Sequence, residues 1–115
     1  MCGITGIFNG DLSKLSSANS SLAHRGPDDD GVYINDSLKI GLGHTRLSIL
    51  DPSPLGSQPM YSADGNTILT FNGEIYNYRE LRCDLKSKGF VFRGESDTEV
   101  LLNLYLSEGV EMLAK

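Results

Sequence analysis

The sequence predicts an α+β domain with mostly antiparallel strand pairing. Three observations point there. Short segments rich in β-branched and aromatic residues fill the first two-thirds of the chain, helix-period segments fill the last third, and hairpin signals separate the strands.

Residues 2–9 read as the first strand, with glycines at 3 and 6. Leu12, Leu15 and Leu22 then recur at helix-compatible intervals, predicting a serine-rich helix over residues 12–23. The stretch HRGPDDDG, residues 24–31, is expected to be a loop: Pro27 lacks a donor, and three consecutive aspartates suit turns. Strands are predicted over 31–34 and 38–44 around an Asn-Asp-Ser turn. Residues 51–59 hold three of the four prolines and should be irregular. Asp64-Gly65 signals a hairpin leading into a strand over 67–71.

Tyr78, Leu81 and Leu85 mark one face of a helix that Gly89 ends. Residues 90–92 are predicted to form a short strand. Ser96 with Glu99 forms a capping-box pattern opening a helix through Val100, Leu101, Leu104 and Tyr105. Gly109 should break it, and residues 110–115 start another.

Composition limits the function classes. The chain has 115 residues, 39% of them hydrophobic and 22% charged, as expected of one soluble domain or part of a larger one. A net charge of −5 and no Lys/Arg block argue against nucleic acid or an anionic membrane as partner. There is no basic leader and no apolar run of membrane-spanning length, so a reducing, cytoplasmic setting is expected. Cys2 and Cys83 make neither a disulfide framework nor a zinc pattern, and no metal site is expected.

Cys2 is the most constrained position. Once Met1 is removed, it carries a thiol and a free α-amine, groups that ionise at about 8.5 and about 7.7–8.0. One residue then supplies nucleophile and base. The start of a buried strand explains MCGITGIF equally well on its own. Likewise, the segments around His24-Arg25-Gly26, Arg46, Asn72-Gly73 and Ser96-Asp97 each have an ordinary structural explanation when taken singly.

Together they do not. MCGITGIFN, HRGPDDDG, GHTRLSILD, GSQPM, FNGEIYNYRELR and GESDTEVLL occur in this order along essentially the whole chain. This series resembles the glutaminase domain of the class II, N-terminal-nucleophile amidotransferases, most closely that of the glutamine-hydrolysing asparagine synthetases. The resemblance implies an αββα sandwich of antiparallel sheets, incomplete here. It implies Cys2 as nucleophile with its α-amine as base. Arg46 would pair with the α-carboxylate of L-glutamine and Asp97 with its α-ammonium. Leu47, Ser48, Ile49 and Leu50 would line the pocket, Asn72 and Gly73 would form the oxyanion hole, and Glu74 would complete the substrate contact. Arg25 and Gly26 would help orient Cys2.

Relative to that family, residues 1–115 correspond to the N-terminal part of the glutaminase domain. The later glutaminase segments and the synthetase domain are not in the sequence. No phosphate-cradling Gly-x-x-x-x-Gly-Lys or Ser-Gly-Gly motif is present, so no cofactor is expected of this segment. ATP and Mg are expected only of the synthetase domain. A fragment of this kind is prone to instability or to a homo-oligomer that covers its open faces. Two alternatives to an asparagine synthetase remain: an amidotransferase for another carboxylate acceptor, and a catalytically silent glutamine-binding module.

Overall fold

The computed structural model describes all 115 residues. Strand β1 (Gly3–Phe8) is followed by a 3₁₀ turn at Leu12–Lys14 and helix α1 (Leu15–Ser20). Strands β2 (Asp29–Asn35) and β3 (Ile40–Arg46) form a hairpin, and β1 pairs with the other edge of β3, giving an antiparallel sheet of order β1-β3-β2. Two short strands, β4 (Met60–Tyr61) and β5 (Ile68–Leu69), form a second antiparallel pair. Helices α2 (Tyr78–Ser87) and α3 (Asp97–Glu108) complete the α+β arrangement, with a 3₁₀ turn over Gly109–Ala114. No helix is long and apolar enough to cross a membrane.

Helix α1 covers one face of the three-stranded sheet. Leu15 is fully buried, and its side chain lies over Gly41. Asn19, also buried, donates from Nδ2 to the His44 carbonyl at 3.2 Å and reaches the Gly31 carbonyl at 3.4 Å. That pair of bonds satisfies a buried amide while fixing the helix to the centre of the sheet. Alternation along β1 sends Ile4 and Phe8 to the opposite face, where they remain 48% and 65% exposed.

The second core lies between α2 and α3. Leu85, Val100 and Leu104 are buried together, with Tyr78, Leu81, Phe90, Phe92 and Met112 packed around them. Gly89 takes φ 94° after α2, the left-handed position at which a helix end favours glycine. On α3 the buried apolar residues are Val100, Leu102 and Leu104, whereas Tyr105 is 44% exposed.

Three local expectations are corrected. The acidic run does not stay in the loop: β2 begins at Asp29, because β3 extends to Arg46 and pairs it with Asp29. The segment 90–92 is not a strand. No sheet edge meets it; the Phe90 N–H returns to the Leu85 carbonyl, and the two amides that follow the segment, Arg93 and Gly94, donate to the Glu99 carboxylate. The strand expected over 67–71 shortens to Ile68–Leu69, since the Phe71 N–H is taken by the Gln58 side chain at 2.6 Å instead of a ladder partner.

The capping box is half formed. Ser96 accepts from the Glu99 N–H at 3.2 Å, but the Glu99 carboxylate turns to the loop before the helix.

Candidate active site

Cys2 sits at the entrance to β1, next to the end of β3. The Leu47 N–H donates to its Sγ at 3.3 Å, and the thiol lies 3.7 Å from the Leu47 carbonyl. Arg25 donates from Nε to the Cys2 carbonyl at 3.1 Å, so the turn after α1 holds the backbone of this residue. Gly26 is pressed against the Thr45–Arg46 backbone instead, and Pro27 bridges to Arg46. Cys2 and Cys83 are free thiols.

Cys2 lines a cleft of about 340 Å³, within the range of small-molecule sites. Its lining includes Cys2, Arg46, Leu47, Ile49, Leu50, Asn72, Gly73, Glu74 and Asp97. Segments distant in sequence therefore converge: the start of β1, the end of β3, the loop after β5 and the first turn of α3. Three of the residues singled out from sequence stand apart from the wall. Arg25 and Gly26 support it from behind. Ser48 is directed elsewhere, its N–H donating to the Asp28 carboxylate at 2.7 Å.

Arg46 is 5% exposed and held by the loop that follows it. Nη1 donates to the Ser53 carbonyl at 3.0 Å, and Nη2 donates to the carbonyls of Leu50 and Asp51. Gly56 lies against the guanidinium so closely that a Cβ there would overlap Nη2. Asp51 carries the network onward: its carboxylate accepts from the Ser53 hydroxyl and N–H and from the Glu95 N–H at 2.7 Å. Those bonds, the Ser53 hydroxyl first, hold the Asp51 carboxyl below the ordinary carboxylate range.

Asp97 occupies the first turn of α3, where the helix dipole favours a carboxylate. It is buried and accepts from the Ile75 N–H at 3.0 Å. The segment leading to it is fixed from two sides. The Glu99 carboxylate accepts from the N–H groups of Arg93 and Gly94 at 2.8 and 2.9 Å. From α2, Arg82 donates to the Gly94 carbonyl at 2.5 Å and stacks over Phe92 at 4.3 Å.

Asn72, Gly73 and Glu74 are exposed on the loop between β5 and α2. Glycine at 73 has a packing reason: a Cβ there would meet the Phe71 ring at 2.7 Å. A buried arginine, a buried aspartate, a cysteine and an exposed Asn-Gly-Glu loop thus line one opening. That arrangement suits a small zwitterion bearing a carbonyl group.

A family profile described as "Glutamine amidotransferase domain" matches residues 1–115. The chain belongs to this family. Among the relatives of this amidotransferase domain, asparagine synthetase [glutamine-hydrolyzing] 1 of Bacillus subtilis is 46% identical over 91% of the chain. Asparagine synthetase B [glutamine-hydrolyzing] of Escherichia coli is 40% identical over 98%. Amidase chry2 of Gibberella zeae is 36% identical over 99%. The amidotransferase chain spans 17%, 21% and 19% of the lengths of these three relatives.

Sequence reasoning missed several lining residues of the domain: Gly56, Gln58, Phe71, Tyr76, Ser96 and Thr98. GSQPM was a visible motif, but its segment is irregular and offers no periodicity from which a side-chain direction follows. His44, adjacent to the motif arginine, was also passed over. It is fully buried, and neither ring nitrogen meets hydrogen-bond geometry. Burial lowers its pKa, with Arg46 adding to that effect, against opposing contributions from the Phe71 backbone and Asp29.

Proposed function

We propose that residues 1–115 are the N-terminal part of a class II glutaminase domain that hydrolyses L-glutamine to L-glutamate and ammonia. The observation that carries this reading is the convergence of Cys2, Arg46, Asn72, Gly73, Glu74 and Asp97 on one cleft. In the reading, Arg46 holds the substrate α-carboxylate and Asp97 the α-ammonium, with Glu74 closing the head-group site. Leu47, Ile49 and Leu50 shape the wall along the substrate, while Ser48 acts behind it through Asp28.

The chemistry then follows. The Cys2 α-amine, freed by loss of Met1, takes the thiol proton as sulfur attacks the side-chain amide carbon. The tetrahedral oxygen is met by the Asn72 side-chain amide and the Gly73 N–H. Collapse breaks the carbon–nitrogen bond, the amine returns its proton to the departing ammonia, and a γ-glutamyl thioester remains on Cys2. Water, deprotonated by the same amine, attacks the thioester and releases glutamate. Met1, 74% exposed and lining the cleft, acylates the Cys2 nitrogen until it is removed.

The names of the relatives support a place within an asparagine synthetase-like enzyme, with the ammonia passed to ATP-dependent amidation of aspartate by a further domain. ATP and Mg would belong to that domain. The likeness to a protein named an amidase supports a second acceptor class, another carboxylate, for the same glutaminase chemistry. The sheet β1-β3-β2, with α1 on one face and apolar side chains on the other, suits one half of an N-terminal-nucleophile αββα sandwich.

Ammonia release from L-glutamine by the Met1-free chain, with Cys2→Ala as control, tests the proposal. Turnover is expected in the wild-type protein and a fall to background in the variant. Equal rates in the two would sink it.

A further inference from the structure

Gln58 is buried, yet it lines the cleft and joins its two walls. Oε1 accepts from the Phe71 N–H at 2.6 Å, and Nε2 donates to the Thr98 hydroxyl at 3.3 Å. Phe71 directly precedes Asn72, and Thr98 directly follows Asp97. One planar amide therefore connects the loop bearing the oxyanion donors to the helix turn bearing the ammonium anchor. The connection is itself seated on the large sheet. The Ser57 hydroxyl donates to the Asp29 carboxylate at 2.6 Å, and the Gln58 carbonyl packs directly against Gly31.

The separation between those two walls has a chemical meaning. A substrate gripped by its α-ammonium must place its side-chain carbonyl at the oxyanion donors. Side-chain length then decides which amide reacts. Glutamine and asparagine differ by one methylene, a difference that packing alone discriminates by roughly 10- to 200-fold. We infer that Gln58 is a positioning residue that fixes the distance between the Asp97 anchor and the Asn72–Gly73 donors, and so sets the preference for glutamine over asparagine. The inference rests on the glutaminase reading for its substrate, and on the two hydrogen bonds for its geometry.

Binding energy contributes to catalysis only where it holds the reacting carbonyl in transition-state register, so a slack strut lowers kcat more than it raises KM. Gln58→Met keeps the length of the side chain and removes both hydrogen bonds. Thr98→Val cuts only the arm to α3, while Thr98→Ser keeps it.

The test measures hydrolysis of L-glutamine and L-asparagine by the Met1-free chain and these three variants, together with amide hydrogen exchange at Phe71. Gln58→Met should reduce the glutamine-to-asparagine ratio in kcat/KM about tenfold, within the range expected for the two hydrogen bonds it removes, chiefly through kcat for glutamine. Thr98→Val should reproduce part of that loss and Thr98→Ser should restore wild-type selectivity. Phe71 exchange should accelerate in Gln58→Met while β3 amides keep their protection. An unchanged amide preference in Gln58→Met, or unchanged Phe71 exchange, overturns the inference. If the wild-type chain hydrolyses neither amide but Phe71 exchange still responds, the strut stands and the glutaminase reading falls.

Discussion

The Asp97 carboxylate accepts a hydrogen bond from the Ile75 N–H at 3.0 Å, tying the first turn of α3 to the loop that carries Asn72 and Gly73. The proposed anchor for a substrate ammonium is thus also a brace for the proposed oxyanion loop. Substitution there should disturb both roles. Asp97→Asn keeps an oxygen for Ile75 but removes the charge facing the cleft. Losing a charge-assisted bond of about 2–3 kcal/mol should raise KM for L-glutamine roughly 30- to 150-fold. Steady-state kinetics check this; an unchanged KM would remove Asp97 from the head-group site.

Gly56 and Arg46 give a second prediction. A methyl group at position 56 would occupy the space of the guanidinium Nη2. Gly56→Ala should displace Arg46 from its three loop carbonyls and cost about 1–3 kcal/mol in stability. The expected fall in Tm is at least several degrees, at about 4–8 °C per kcal/mol for a small domain. Glutamine binding, followed by calorimetry, should weaken in parallel. A variant that melts and binds like wild type would show that the packing around Arg46 yields freely.

Glu99 offers a test of how the site is supported from outside the cleft. Its buried carboxylate accepts from Arg93 and Gly94 with separate oxygens. Glu99→Gln leaves one of those N–H groups facing an amide nitrogen, a loss of about 1–3 kcal/mol. Thermal melting should show that loss, and KM for glutamine should rise because Asp97 lies two residues before Glu99 in the same helical turn.

The pH dependence of stability should carry two separate signatures. Burial keeps the folded-state pKa of His44 below its ordinary value of about 6.5. Below that pH the unfolded chain binds a proton that the folded chain refuses, so stability falls as pH drops through this window. Tm should decline as pH drops through about 6.5 toward the lowered folded-state value, and His44→Asn should flatten the decline. Asp51 acts in a lower window. Its depressed folded pKa contributes stability above the unfolded value of about 3.9, and the contribution is lost as pH falls through the folded value. Asp51→Asn should therefore flatten only the acid limb. A slope unaffected by His44→Asn would assign the neutral-range dependence to another group.

The parts of the fold that were legible in the sequence are those written in local chemistry. Leu85 and the glycine after α2 announce a helix and its end, Ser96 announces the start of α3, and Asp64-Gly65 announces the turn between β4 and β5. What sequence could not show was competition for backbone amides. The Phe71 N–H goes to Gln58, and those of Arg93 and Gly94 go to Glu99; in each case a distant or non-ladder side chain replaces the strand pairing that local propensity favours. The residues of the candidate site, each explicable singly as a strand-end arginine, a turn or a helix-terminal carboxylate, stood out only through the ordered series of motifs to which they belong. Gln58 and His44 did not stand out, since their importance lies in what they touch.

The central claim is that the residue behind Met1 acts as both nucleophile and base. Its most direct test is intact-mass analysis of protein quenched during reaction with L-glutamine, comparing the Met1-free chain with one that retains Met1. A γ-glutamyl adduct on Cys2 is predicted in the Met1-free chain alone, accompanied by ammonia release. Ammonia release at the same rate from the Met1-retaining chain would contradict the account.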